Sequence, residues 1–298
     1  MNLANLRLIR DVAHYKSVSK AAQMNELSQS AASQALQEVE RELGAQLFDR
    51  SRRPLVVTEE GKRVLEYCRD VLRRHEELLA ELARFKHEAG GTVRLAAIYS
   101  VGLTEMSALE QRFAREFPEA ELQISYLRPE RVWEAVAEDQ ADLGLMSYAE
   151  SSRDVLALPW RDEEMVVAVA PQHPLARRRK VNVSALDGST FIGFDDDLPI
   201  NSHVERYLRD HKVRVEMTLR FDNLQMIKEA VSHGAGIAIM PRRVMQDELA
   251  QHRIFALSLD PPDLYRPVRI VHRRRKVFTA AMNGLLEILR APSRTNAA

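Results

Sequence analysis

Between Lys62 and Ala89 the chain carries neither glycine nor proline, and this one stretch argues against a single compact domain. Nothing in it breaks a helix. Val64, Cys68, Val71, His75, Leu78, Leu82 and Phe85 recur at alternating spacings of four and three, and Leu65, Leu72 and Leu79 widen the stripe. A period of 3.5 residues fits a coiled-coil seam between two copies of the helix, so these seven residues are expected to carry dimerisation. The same period also fits a helix packed against its own chain. Before the helix lie short helical patterns and a hairpin-like run; after it, β-rich runs alternate with amphipathic helices. Gly90-Gly91 is the natural hinge. The expected division is therefore residues 1–58, a linker and dimerisation helix over 59–89, and an α/β domain over 90–298.

The charge balance restricts the partners. Lys+Arg and Asp+Glu are equal at 43 each, so any nucleic-acid surface must be local and placed by a fold. Cys68 is the only cysteine, which excludes an intramolecular disulfide and a cysteine-rich zinc site. Arg7, Arg10 and Asp11 interrupt the first apolar run, so no secretory leader is read there, and no uncharged run is long enough to span a bilayer. A cytoplasmic location without membrane contact is the expectation.

Residues 1–58 spell a helix-turn-helix. The first helix, about Asn2 to Tyr15, puts Leu3, Leu6, Ile9 and Val12-Ala13 on one face. Ser17 or Ser19 can cap a short second helix through Ala21, Ala22 and Met24, and Asn25-Glu26-Leu27 makes the turn. Ser28 caps a third helix, Gln29 to about Leu43, that stops at Gly44. Ala32, Leu36, Val39 and Leu43 form its core stripe. Gln29, Ser30, Ser33, Gln34 and Gln37 fall on another side, where glutamine can pair in two-pronged fashion with adenine and serine tolerates several partners. A plain solvated face is the alternative, although such faces usually carry lysine and glutamate. Two β-prone pieces then flank a basic tip, Arg50, Ser51, Arg52, Arg53 and Pro54, as a DNA-contacting wing requires. Its arginines can reach phosphates or a narrow minor groove. Ser28, Gln29, Ser30, Ser33, Gln34, Gln37, Arg50, Arg52 and Arg53 are the candidate DNA contacts.

The run from Ser17 to Gly61 resembles the signature of the LysR-type transcriptional regulators. The shared elements include Ala21-Ala22, Leu27-Ser28-Gln29, Ser33, Leu36, Glu40, Leu43-Gly44, Leu47-Phe48, Arg50, Arg53, Leu55, Thr58 and Gly61. Two positions depart from the usual pattern: Ser30 stands where proline is common, and Gln34 where arginine is usual. The missing cation should weaken phosphate attraction and shift base preference. The resemblance implies a winged helix-turn-helix joined by a long coiled-coil helix to a two-lobed, periplasmic-binding-protein-like α/β effector domain. It also implies assembly into a dimer, then a dimer of dimers, on double-stranded DNA, with RNA polymerase as a further candidate partner.

In residues 90–298 the expected strands are Thr92–Ile98, Glu121–Tyr126, Leu143–Met146, Leu156–Trp160, Glu164–Ala170, Phe191–Phe194, Val213–Arg220, Ile237–Met240, Ile254–Leu257 and Leu264–Val271. Helices are expected between most of them, among them Val101–Phe117, Pro129–Asp139, Leu224–Ser232 and Phe278–Leu289. By the resemblance, lobe I takes about 90–161 and 267–298, and lobe II about 162–266. Ligands in open α/β sheets sit beyond the strand C-termini. Ser100 follows the first strand and opens a helix, and Asn201-Ser202 follow Phe191–Phe194 and open another, so capping hydroxyls at facing N-termini favour a carboxylate or another oxyanion. Ser100, Val101, Arg128, Ser147, Asn201 and Ser202 are the candidate effector contacts. For any one serine, a cap without a ligand is an equal reading.

The enzyme readings find less support. Gly234-Ala235-Gly236 follows a helix and precedes a strand, the reverse of a phosphate-cradling loop. No HExxH or GxSxG is present, and Asp195-Asp196-Asp197 lacks the offset carboxylate a cation loop needs. The expectation is a non-enzymatic regulator without metal or cofactor, controlled by a small anionic effector. An enzyme carrying a helix-turn-helix and a ligand-independent architectural DNA-binding protein are the alternatives.

Overall fold

The computed structural model describes residues 1–51, 54–86 and 91–291, leaving aside the side chains of 76, 77, 80, 81, 83–86 and 103–105. The chain divides into two compact units, Met1–Glu88 and Ala89–Ala298.

In the first unit, α1 (Leu3–Tyr15), α2 (Val18–Met24) and α3 (Gln29–Leu43) are capped by Asn2, Ser17 and Ser28, whose side chains accept from the backbone N–H groups of Asn5, Lys20 and Ala31. Gly44, at φ 63°, stops α3. The hairpin β1 (Phe48–Asp49) and β2 (Val56–Val57) pairs Phe48 with Val57. It is fixed to α3 by Glu40, which accepts from Leu47 N (2.8 Å), Phe48 N (3.3 Å) and the Arg50 guanidinium (2.8 Å). The long helix α4 (Glu59–Lys86) begins at Thr58, whose hydroxyl donates to Gln46 O and accepts from Gly61 N. A Cβ at Gly61 would lie 2.1 Å from Leu47 O, so this close approach of helix to wing needs glycine.

The core of this unit joins Leu6, Ile9 and Val12 of α1 to Ala21, Ala22, Ala32, Leu36 and Val39, and then to Leu65, Cys68 and Leu72 of α4. Two sequence expectations are corrected here. Leu43 is 40% exposed: it is the final residue of α3, and the chain turns at Gly44 before another element covers it. Cys68 is fully buried within its own unit, with Val64 and Val71 packed alongside, so the first half of the seam faces α1 and the core of its own unit.

The second unit runs β3 (Gly91–Ile98), α5 (Tyr99–Glu116), β4 (Ala120–Leu127), α6 (Pro129–Ala137), β5 (Leu143–Ser147), β6 (Val155–Val169), β7 (Lys180–Asn182) and β8 (Thr190–Phe194). It continues through α7 (Pro199–Asp210), β9 (Glu216–Phe221), α8 (Leu224–Ser232), β10 (Ala238–Pro241), α9 (Gln246–Ala250), β11 (Phe255–Asp260), β12 (Tyr265–Arg273) and α10 (Ala280–Arg290). The main sheet has the order β4-β3-β5-β12-β6-β11-β7, with β10 also on β6; β8 and β9 form a separate parallel pair.

Its apolar residues gather into two cores. One unites Leu95, Phe113, Val132, Leu143, Ile270 and Leu285; the other unites Val167, Phe191, Val204, Ile227, Ile239 and Leu257. Among the described strands β6 serves both, through Val155 in the first and Met165–Val169 in the second; β12, entered from Leu264 of the second core, pairs antiparallel along it from Tyr265–Glu164 to Arg273–Val155 with a register shift at Val268/Arg269. The two strands expected at Leu156–Trp160 and Glu164–Ala170 are thus one. Arg161-Asp162-Glu163 reads as a break in the apolar pattern, yet it is the crossing between lobes, and Glu163 is buried there by an ion pair with Arg266. Among the described residues no helix is long and apolar enough to cross a membrane.

Candidate functional site

The outer face of α3 is where the helix-turn-helix meets its surroundings. Gln29, Ser30, Gln34 and Gln37 are exposed and Ser33 is half-buried. Ser28 is exposed too, but its hydroxyl serves as the cap and lies 3.0 Å from Ser30 Oγ. Three amide side chains therefore project without a fixed intramolecular partner among the described residues. Arg50 is held by Glu40, which makes it a clamp between α3 and the hairpin. Arg52 and Arg53 lie outside the described residues.

Along α4 the seam splits at mid-length. Cys68 is buried, and that burial pushes its thiol up to about 11. His75 is half-buried. Leu78 and Leu82 are 51% and 47% exposed, with Leu79 beside them at 50%. The Phe85 side chain lies outside the described residues.

In the second unit a cavity of about 590 Å³ opens between the lobes. Tyr99 and Ser100, at the start of α5, line one side with Tyr126 and Arg128; Asp222, Asn223 and Gln225, at the start of α8, line the other. Two helix N-termini thus converge on one space. Gly102 is required for the shape, since a Cβ there would sit 2.3 Å from the Tyr126 ring.

Several polar groups are set as donors, beside the Asp222 carboxylate in the wall. Buried Arg266 donates to Ser100 Oγ (2.9 Å), occupying an acceptor position and leaving the hydroxyl proton to point elsewhere. Arg266 is itself held by Glu163, through Nε at 2.9 Å and through Nη2. Asn223 Oδ1 accepts from Met226 N as the cap of α8, which turns its amide N–H groups outward. Arg128 spans the lobes, pairing with Asp197 (2.6 Å) and, more loosely, Asp222 (3.7 Å) of lobe II, and with Glu130 (3.0 Å) of its own lobe. Nearby, the Tyr148 ring stacks on His203 at 3.9 Å, and burial pushes its phenol pKa up.

Of the six expected effector contacts, the structure brings Ser100 and Arg128 to this cavity. It does not bring the other four. Val101 and Ser147 are buried within lobe I. Asn201 is buried against Asp196, Glu205 and Arg220, and the Ser202 hydroxyl donates to Pro199 O. The capping argument is corrected as well. α5 starts at Tyr99 behind Ile98, and α7 at Pro199 behind Leu198, neither with a side-chain cap. Tyr99, Tyr126, Asp222, Asn223 and Gln225 were missed, although asparagine directly between a strand and Leu224–Ser232 is a readable cap signal.

A helix-turn-helix with a hairpin wing in one unit and a two-lobed α/β fold with a donor-lined cleft in the other define a ligand-responsive DNA-binding regulator. Residues 3–62 match the bacterial regulatory helix-turn-helix protein, lysR family, and residues 86–293 match the LysR substrate binding domain. The chain belongs to the LysR family of transcriptional regulators. It is 30% identical over 287 residues to the HTH-type transcriptional regulator YeiE of Escherichia coli strain K12, covering 96% of each chain. Its fold is similar to that of full-length OxyR from Pseudomonas aeruginosa, with a TM-score of 0.77 at 20% identity over 97% of this chain and 93% of that one. The effector binding domain of QuiR in complex with shikimate gives a TM-score of 0.60 at 21% identity, over 67% of this chain and 95% of that one.

Proposed function

We propose that this regulator reads DNA through the exposed amides of α3 and answers to a small organic anion held between its lobes. Under this reading residues 1–58 form the DNA-binding domain, 59–89 the linker and pairing helix, and 90–298 the effector domain. Gln29, Gln34 and Gln37 read base edges, with Ser30 and Ser33 beside them and the wing on the backbone. Leu78 and Leu82 pair two copies, which places two recognition helices on the half-sites of a near-palindrome. Further pairing makes a dimer of dimers.

The observation that carries the effector class is the cavity between α5 and α8, where a hydroxyl, an amide, two helix N-termini and Arg128 all offer donors. The shikimate held by QuiR, a carboxylate, supports the same class. An arriving carboxylate competes with Asp197 and Asp222 for Arg128, loosening the bond across the cleft and shifting the lobes between two arrangements.

The test is footprinting of the full-length protein upstream of its own gene, with and without a panel of small carboxylates and oxyanions. One compound should shorten or shift the protected region, and Arg128→Ala should abolish that response while basal protection persists. Absence of protection at low salt, where even non-specific binding shows, would overturn the DNA assignment. Protection that no compound alters, or a response unchanged in Arg128→Ala, would overturn the effector assignment.

A further inference from the structure

A second cavity, of about 620 Å³, lies wholly within lobe II between α7 and β9. We infer that it is a separate binding site for a small amphiphilic carboxylate, one with an aliphatic or aromatic body. Phe191, Val204, Leu208, Val213 and Met217 line the apolar part, and this volume suits a small organic molecule. Arg209 and Lys212, at the end of α7, and Arg214, just after it, line the exposed part. Among the described residues none of these three makes an ion pair or a side-chain hydrogen bond.

Two other charged groups in the wall decide where an anion settles. Arg220 is already neutralised by Asp196 (2.7 Å) and Glu205 (3.0 Å), and it also donates to Phe194 O. Its hydrogen bond holds the Glu205 carboxyl below the usual carboxylate range, so that group stays ionised and directed at Arg220. Arg220 with Asp196 and Glu205 leaves one surplus negative charge, which Arg209 faces in part, and the three rim cations together still leave the rim positive. A purely apolar ligand would leave them unused, and an inorganic anion would leave the apolar wall unused. A carboxylate on a hydrocarbon body uses both, with arginine offering a two-pronged donor pair.

This inference does not depend on the cleft assignment, because the two cavities share no lining residue among those described. Octanoate is the probe, titrated into full-length protein carrying isotope-labelled methionine methyl groups, with Met217 assigned by Met217→Leu. The Met217 methyl signal should shift and saturate with octanoate. Octanol should bind about tenfold more weakly or less. Arg209→Gln combined with Lys212→Gln, both exposed, should weaken octanoate at least about tenfold without changing the melting temperature. Arg128→Ala, in the cleft, should leave the titration unchanged. The site is overturned if the Met217 signal stays still, if octanol matches octanoate, if the double variant binds normally, or if Arg128→Ala abolishes the shift.

Discussion

At the residue scale, the proposed recognition and the stability of the unit fall to different side chains of α3. Gln34 is exposed and free to contact a base, whereas Glu40 satisfies two backbone donors and Arg50. Gln34→Ala should relax sequence preference at one base position by about 1–3 kcal/mol, with the melting temperature unchanged; binding to a set of operator variants measures it. Unaltered preference would remove Gln34 from the readout. Cys68 offers a pH test. Its thiol is raised from an ordinary value of 9.0 to about 11 by burial, so the folded chain keeps a proton that the unfolded chain releases first. Stability from this site is intact below about 9 and declines as pH rises toward about 11. Denaturant midpoints of wild type and Cys68→Ala between neutral and alkaline pH check it: the wild-type curve should fall more steeply. Alkylation at neutral pH should be slow until the chain unfolds.

At the element scale, α4 shows why periodicity could not say what a seam packs against. A stripe facing the same chain and one facing a partner share the same spacing, and in this helix only the first half is covered by its own unit. Leu65, Cys68 and Leu72 are buried at home, while Leu78 and Leu82 are exposed. Leu72→Ala should therefore cost about 2–5 kcal/mol of stability, read by denaturant unfolding. Leu78→Asp with Leu82→Asp should leave each subunit folded and shift the protein toward monomer in sedimentation. A double variant that stays fully associated would move the interface elsewhere. Much else at this scale was legible, because it is local. Ser28, Gln29–Leu43 and Gly44 give α3 by capping alone, and Leu224–Ser232 is α8 to the residue. The cleft was only partly legible. Ser100 and Arg128 follow strands and line it, but Asn201 turns inward to Arg220, an orientation set by contacts distant in sequence.

At the scale of the whole effector domain, what matters is the crossing between the lobes, where β6 runs from one core into the other and β12 pairs along it. A charged triplet in mid-strand would ordinarily end a strand, yet here Glu163 and Arg266 pair at 3% and 2% side-chain exposure, with Arg161 of the triplet itself also donating to Glu163. Removing one partner leaves an uncompensated buried charge, so Glu163→Ala should cost about 3–5 kcal/mol. Replacing both with apolar groups of similar size, Glu163→Leu with Arg266→Met, should recover part of that loss, since a buried ion pair adds little over good packing but Arg161, which also donates to Glu163 at 2.8 Å, loses that partner. If stability were its whole role, the double variant would answer the effector as wild type does. The geometry gives it a second role, because Arg266 reaches Ser100 and sets which way that hydroxyl donates. The double variant should therefore melt between Glu163→Ala and wild type and still protect its operator, while its apparent affinity for the effector falls by about tenfold, the weight of one hydrogen bond to a charged group. Melting curves and effector titrations of the footprint on the same preparation separate the two roles. A double variant with full effector affinity would confine the Glu163–Arg266 pair to joining the lobes.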